Sequence, residues 1–153
     1  MFNVSITLKE GATDVLYQWQ EVAPKLPGDL FIRAIIDNVN GTITARFLGF
    51  FLGETDALLH LTNQSFPESN LTKKDCKEMS WLNSTLFWDG HPEGTSYKIF
   101  YSRTLTQGPR DFCKAKSDYV KMVIPRESGT HLEVDDRGRD QFHAMESLWR
   151  KNE

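Results

Sequence analysis

The chain has 153 residues, of which 39% are hydrophobic, 25% charged and 12% aromatic, and its formal net charge is -3. This is enough apolar material for a compact core and argues against global disorder. There is no basic stripe, which speaks against nucleic-acid binding, and the longest apolar run, "FLGFFLG" at 47–53, is too short for a membrane span.

Residues 2–8, "FNVSITL", alternate apolar and polar side chains, the pattern of a strand with one wet face. Residues 11–28 place Val15, Leu16, Trp19, Val22 and Ala23 at helical spacing, with Thr13 as the expected cap and Pro24 and Pro27 closing the segment. "DLFIRAIID" (29–37) is apolar on both faces except at Arg33, as in a central strand. An Asn-Gly turn in "NVNGT" (38–42) returns the chain as a second strand, "TITARFLGFFLG" (42–53), whose tip is polar and whose far half is apolar. Gly49 and Gly53 mark a bulge or a close backbone approach.

Residues 54–66 predict a short helix with Thr55 as cap, Leu58, Leu61 and Phe66 inward, and Pro67 at its end. Thr72 and Asp75 are spaced as a capping box. "CKEMSW" (76–81) is read as a short strand, and 81–88 as a helix with an aromatic face. Residues 89–111 read as loop with one short regular piece at 97–102, 114–121 as a further strand, 126–141 as solvated loop and 142–151 as a closing helix. Together these predict an α+β fold: an antiparallel sheet with helices packed on one face.

No catalytic constellation is legible. Gly-rich phosphate loops and a nucleophile elbow are absent, and the histidines, His60, His91, His131 and His143, form no HxxxH pair. Cys76 and Cys113 lack CxxC spacing, so neither a zinc site nor a disulfide framework is indicated. Lys73, Lys74 and Lys77 would favour a Cys76 thiolate, but Asp75 and Glu78 offset them, so Cys76 reads as structural. No catalytic, cofactor-binding or metal-ligating residue is assigned.

Asn-x-Ser/Thr occurs at Asn3, Asn40, Asn63, Asn70 and Asn83, never with proline in the middle. Seven asparagines in this composition give about one such sequon by chance, so five point to a secretory ancestry. Asn40, in the hairpin turn, is the preferred acceptor. The N-terminus lacks the basic and apolar regions of a signal peptide. A fragment whose export signal lay upstream would reconcile the two.

"DCKEMSWLNSTLFWDG" resembles a segment of the plant berberine-bridge-enzyme-like, or reticuline-oxidase-like, FAD-linked oxidases. The resemblance continues through "FNVSITLKEGATDVLYQWQEVAPKLPGDLFIRAII", "FLGFFLGETDALLHLTNQSFPE" and "KAKSDYVKMVIP". It implies that residues 1–125 are part of a substrate-binding domain whose sheet covers the flavin ring and a small-molecule substrate. Residues 126–153 would be a divergent tail. It also implies a secreted, extracellular or cell-wall glycoprotein. The FAD-tethering histidine and cysteine, the catalytic base and the whole flavin domain would lie outside the matched region. The chain alone would then bind FAD weakly, lack oxidase activity and self-associate through an uncovered sheet face. A non-catalytic remnant or small binding module of the same origin is the alternative. Phe31, Arg33 and Ile35, on one face of the first hairpin strand, are the substrate-pocket candidates, chosen because a buried Arg33 needs a polar or anionic partner.

Overall fold

The computed structural model describes residues 1–39 and 41–101, and the backbone of 143–146. These fall into two compact units, one comprising 1–78 with 143–146 and the other 79–101. The expected boundary at 125/126 and the expected strand at 114–121 lie outside the described residues.

The first unit contains β1 (Phe2–Thr7), α1 (Ala12–Val22), β2 (Leu30–Val39), β3 (Thr42–Phe51), α2 (Thr55–Ser65) and β4 (His143–Glu146). The strands form one antiparallel sheet in the order β1-β3-β2-β4. The β2–β3 hairpin closes with Val39 opposite Thr42, and Gly41 takes φ 76°, a left-handed value that favours glycine. Pairing then runs unbroken to Leu30 opposite Phe51. No bulge interrupts it, so the glycine at 49 serves the close approach.

Alternation divides the sheet into two faces. Phe2 and Ile6, Leu30, Ile32 and Ala34, and Ala45 and Phe47 are buried on one face. They form a single cluster with Ala12, Val15, Leu16 and Trp19 of α1 and Leu58 of α2. The i, i+3, i+4 spacing on α1 makes this possible, because it gathers the apolar side chains into one stripe. Phe66, just past α2, packs edge-on against Phe47, with ring centroids 5.7 Å apart and planes at 70°. Such a pair adds about 0.5–1.5 kcal/mol to the burial of its rings.

Several local expectations change. Helix α1 has Gly11, at φ 89°, in its cap position, two residues before the expected Thr13. Thr55 is the first residue of α2 and Glu54 its cap position, but the cap acceptor comes from Glu78, whose Oε1 accepts from the Thr55 N–H at 2.8 Å. The expected strand at 76–80 reduces to a single antiparallel bridge between Cys76 and Phe2. Within the expected closing helix, the backbone of 143–146 is a strand paired to β2, because the open edge of β2 offers hydrogen bonds that a short isolated helix cannot match. The Thr72–Asp75 capping box forms as expected, with Thr72 N–H and Oγ1 donating to Asp75 Oδ2 at 2.9 and 2.6 Å.

The second unit holds α3 (Trp81–Trp88) and a 3-10 turn over Tyr97–Tyr101, close to the regular piece expected at 97–102. Ser80 Oγ accepts from the Asn83 N–H at the start of α3. Leu86 is buried, whereas on the expected aromatic face Trp81 is 69% exposed and Trp88 half-buried. His91 Nε2 lies 2.8 Å from Asp89 Oδ2 and stacks edge-on with Phe100, an arrangement internal to this unit.

Candidate functional site

The sheet face opposite the helices carries Phe31, Arg33, Ile35 and Asp37 from β2, Thr44, Arg46, Leu48 and Phe50 from β3, and Asn3, Ser5 and Thr7 from β1. These positions share a face because residues directly opposite each other in an antiparallel pair point the same way. The rows are set by the register: Phe31 opposite Phe50, Arg33 opposite Leu48, Ile35 opposite Arg46 and Asp37 opposite Thr44. Thus Phe31, Arg33 and Ile35 do lie together, away from α1 and α2.

The face is built as an aromatic end and a charged end with an aliphatic middle. Phe31 and Phe50 are half-buried, and Ile35 and Leu48 are buried. Arg33 and Arg46 sit diagonally across β2 and β3. Long arginine stems cover aliphatic neighbours while their guanidinium heads stay polar. Arg46 Nη2 lies 3.3 Å from Asp37 Oδ2, so one guanidinium is turned toward a carboxylate on the neighbouring strand. Both partners remain partly exposed, so the pair contributes little to stability. Its effect is to fix the direction in which Arg46 points.

The middle of this face is therefore better covered than the sequence led one to expect. The large exposed hydrophobic side chains are Val39, Leu52, Trp81, Leu82, Tyr97, Phe100 and Tyr101. None of them belongs to the central rows of this face.

Chemically, the face offers two half-buried phenylalanines, Phe31 and Phe50, and guanidinium donors around a covered aliphatic middle, a set that suits binding and orientation of a polar ligand. It carries no nucleophile–base pair. Among the described residues no group of three or more histidine, cysteine or acidic side chains is placed to hold a metal. Cys76 is half-buried, and burial pushes its thiol up from the ordinary cysteine value, the opposite of an activated nucleophile. Among the described residues the glycine turns do not assemble a pyrophosphate cradle. A pyrophosphate needs several converging backbone N–H groups, whereas the left-handed glycines, Gly11, Gly41, Gly90 and Gly94, are scattered singly over four separate turns.

The four sequon asparagines among the described residues, Asn3, Asn63, Asn70 and Asn83, are all exposed. Asn70 stands in a left-handed turn at φ 49°. Asn40, the preferred acceptor, lies outside the described residues. What sequence reasoning missed is Arg46. Its outward place in the 42–53 alternation was visible, but its proximity to Arg33 depends on the hairpin register.

No protein-family profile matches the sequence. Curated relatives do. The chain is 52% identical over 133 residues to berberine bridge enzyme-like 4 of Arabidopsis thaliana, an alignment covering 83% of this chain and 25% of that protein. It is 40% identical over 157 aligned positions to berberine bridge enzyme-like 8 of the same plant, covering 99% of this chain and 26% of that one. The tail from Arg126, expected to depart from the family pattern, falls within this second alignment. Among solved structures, BBE-like 28 from Arabidopsis thaliana superposes with a TM-score of 0.64 at 38% identity, over 67% of this chain and 21% of that chain. The chain thus spans about a quarter of the length of the curated relatives it matches. Sequence identity and shared fold together show that this chain is similar, over most of its own length, to one quarter of a berberine bridge enzyme-like protein.

Proposed function

We propose that this chain is substrate-domain sequence of a FAD-linked oxidoreductase, and that its part in the reaction is to hold and orient the substrate against a flavin bound by other sequence. The observation that carries this reading is the sheet face opposite the helices. It presents Phe31, Arg33 and Ile35 together, beside Leu48, Phe50 and Arg46, with no acid–base or nucleophilic set. In flavin enzymes the cofactor, when bound, supplies the electron-accepting chemistry, and the protein supplies binding, orientation and electrostatics. Phe31 and Ile35 would limit where the substrate lies, and Arg33 would hold a polar or anionic group on it.

The exposed sequons support passage through the secretory pathway, with the protein acting as an extracellular or cell-wall glycoprotein. The missing partner is a flavin-binding domain, supplied in cis in the intact protein.

The test is to purify the chain with added FAD and pass it over a sizing column. Free flavin is expected to separate from a colourless protein peak without oxidase turnover. Co-expression with the flavin domain of a berberine bridge enzyme-like relative is expected to yield a yellow complex. A yellow, active peak from the chain alone would sink this reading.

A further inference from the structure

The β1 strand combines features that a soluble protein usually avoids. It lies at the edge of the sheet formed by the described residues. The stretch "FNVSITL" holds no charged residue and no proline, and alternates apolar Phe2, Val4, Ile6 and Leu8. Exposed strands of this kind template pairing with another chain, and proteins blunt them with lysine, proline, bulges or a covering segment. Here both ends of the edge are covered. At the start, the Lys77 N–H donates to the Met1 carbonyl at 2.8 Å beside the Phe2–Cys76 bridge. At the end, the Thr7 N–H donates to Glu10 Oε2 at 2.8 Å. In an antiparallel strand alternate residues turn their backbone groups to the same side. Met1 and Thr7 turn theirs outward, so Asn3 and Ser5 do as well. Among the described residues, the span left between the two covers is therefore Asn3-Val4-Ser5, which is itself a sequon, and the side chains of Asn3 and Ser5 are exposed.

We infer that an N-linked glycan on Asn3 is the guard of this edge, and that it keeps β1 from pairing with β1 of a second copy. This rests on the secretory reading above. A branched glycan is bulky and strongly hydrated, so at Asn3, on the outer strand, it covers the open middle of the edge. Asn3 is opposite Leu48, which is opposite Arg33, so the glycan's anchor stands one strand from Leu48 and two strands, about 10 Å, from Arg33. It borders the pocket without filling it.

The full chain is produced through a eukaryotic secretory pathway behind an added leader, and occupancy is read by glycopeptide mass spectrometry. Asn3 is expected to carry a glycan. Asn3→Gln and Ser5→Ala remove the sequon at its two ends and are expected to tighten self-association by about tenfold or more in analytical ultracentrifugation. Ser5→Lys removes the sequon but charges the edge, and is expected to associate no more than the unmodified protein. Asn63→Gln, on α2, is the control and is expected to change nothing. A bare Asn3 beside occupied Asn63 or Asn70 overturns the inference and leaves the secretory reading standing, whereas bare sequons throughout overturn both. Unchanged association in Asn3→Gln and Ser5→Ala, or equal tightening in Ser5→Lys, removes the edge role.

Discussion

Gly49→Ala is expected to be among the most damaging single-methyl additions in the sheet. Gly49 on β3 lies opposite Phe2 on β1 and Ile32 on β2, and the Phe2 ring lies across it. A Cβ at this position would fall 1.9 Å from Phe2 Cε1, 2.2 Å from Cζ and 2.5 Å from Cδ1. Carbon atoms rest about 3.5–4.0 Å apart, so the ring would have to move by roughly 1.5 Å or more. It has nowhere to go, because Phe2 is 1% exposed and packed into the core cluster. Overpacking a core costs about 1–3 kcal/mol, and complete loss of a buried phenylalanine costs about 3–5 kcal/mol. A destabilisation of about 3 kcal/mol is therefore expected. For a chain of this size it lowers the melting temperature by about 6–12 °C. Urea unfolding of the wild type, Gly49→Ala, Phe2→Ala and the double variant completes a cycle. With the ring removed, the added methyl has room, and alanine is favoured over glycine in a strand by about 0.5–1 kcal/mol. The two substitutions should thus be far from additive. A Gly49→Ala variant within about 1 kcal/mol of wild type, or one equally damaging in the Phe2→Ala background, would refute the reasoning.

The Glu78 cap makes stability depend on acid. The Thr55 backbone N–H holds the Glu78 carboxyl below its ordinary value of 4.5, so its contribution is present above that value and is lost as pH falls through the lower folded value. Melting temperature measured between about pH 3 and 6 should fall less steeply toward acid in Glu78→Gln than in wild type, and parallel curves would contradict the cap. The Trp19 Nε1–H is buried and donates to no partner among the described residues, so Trp19→Phe gives up no hydrogen bond. It is expected to cost under about 1.5 kcal/mol by chemical denaturation, against about 3–5 kcal/mol for Trp19→Ala, and equal losses would count against this account. Phe66→Ala, which removes the ring set edge-on against Phe47, should cost about 3–5 kcal/mol, and an unchanged urea midpoint would show that the contact carries no weight.

Much of the fold was legible in local pattern. Alternation in 2–8 and 29–53 marks three strands, and its period alone puts Phe31, Arg33 and Ile35 on one face. Helical spacing gave α1, α2 and α3, because a 3.6-residue period needs only neighbours in sequence. What depended on tertiary structure are the pairings between distant residues. Glu78 caps α2 from 23 residues away, so the local capping signal at Thr55 named the right place and the wrong acceptor. Residues 76–80 carry too little apolar pattern to hold a strand, and only Cys76 and Lys77 reach the β1 edge. The spacing of Phe142, Met145, Leu148 and Trp149 read as a helix, yet the edge of β2 recruits 143–146 into the sheet. The role of Gly49 also required the fold, since nothing in the sequence says that the ring filling its missing side chain comes from Phe2. Sequence periodicity fixes which way a side chain faces along its own element. What it meets there is decided by register and packing between elements, which no local pattern records.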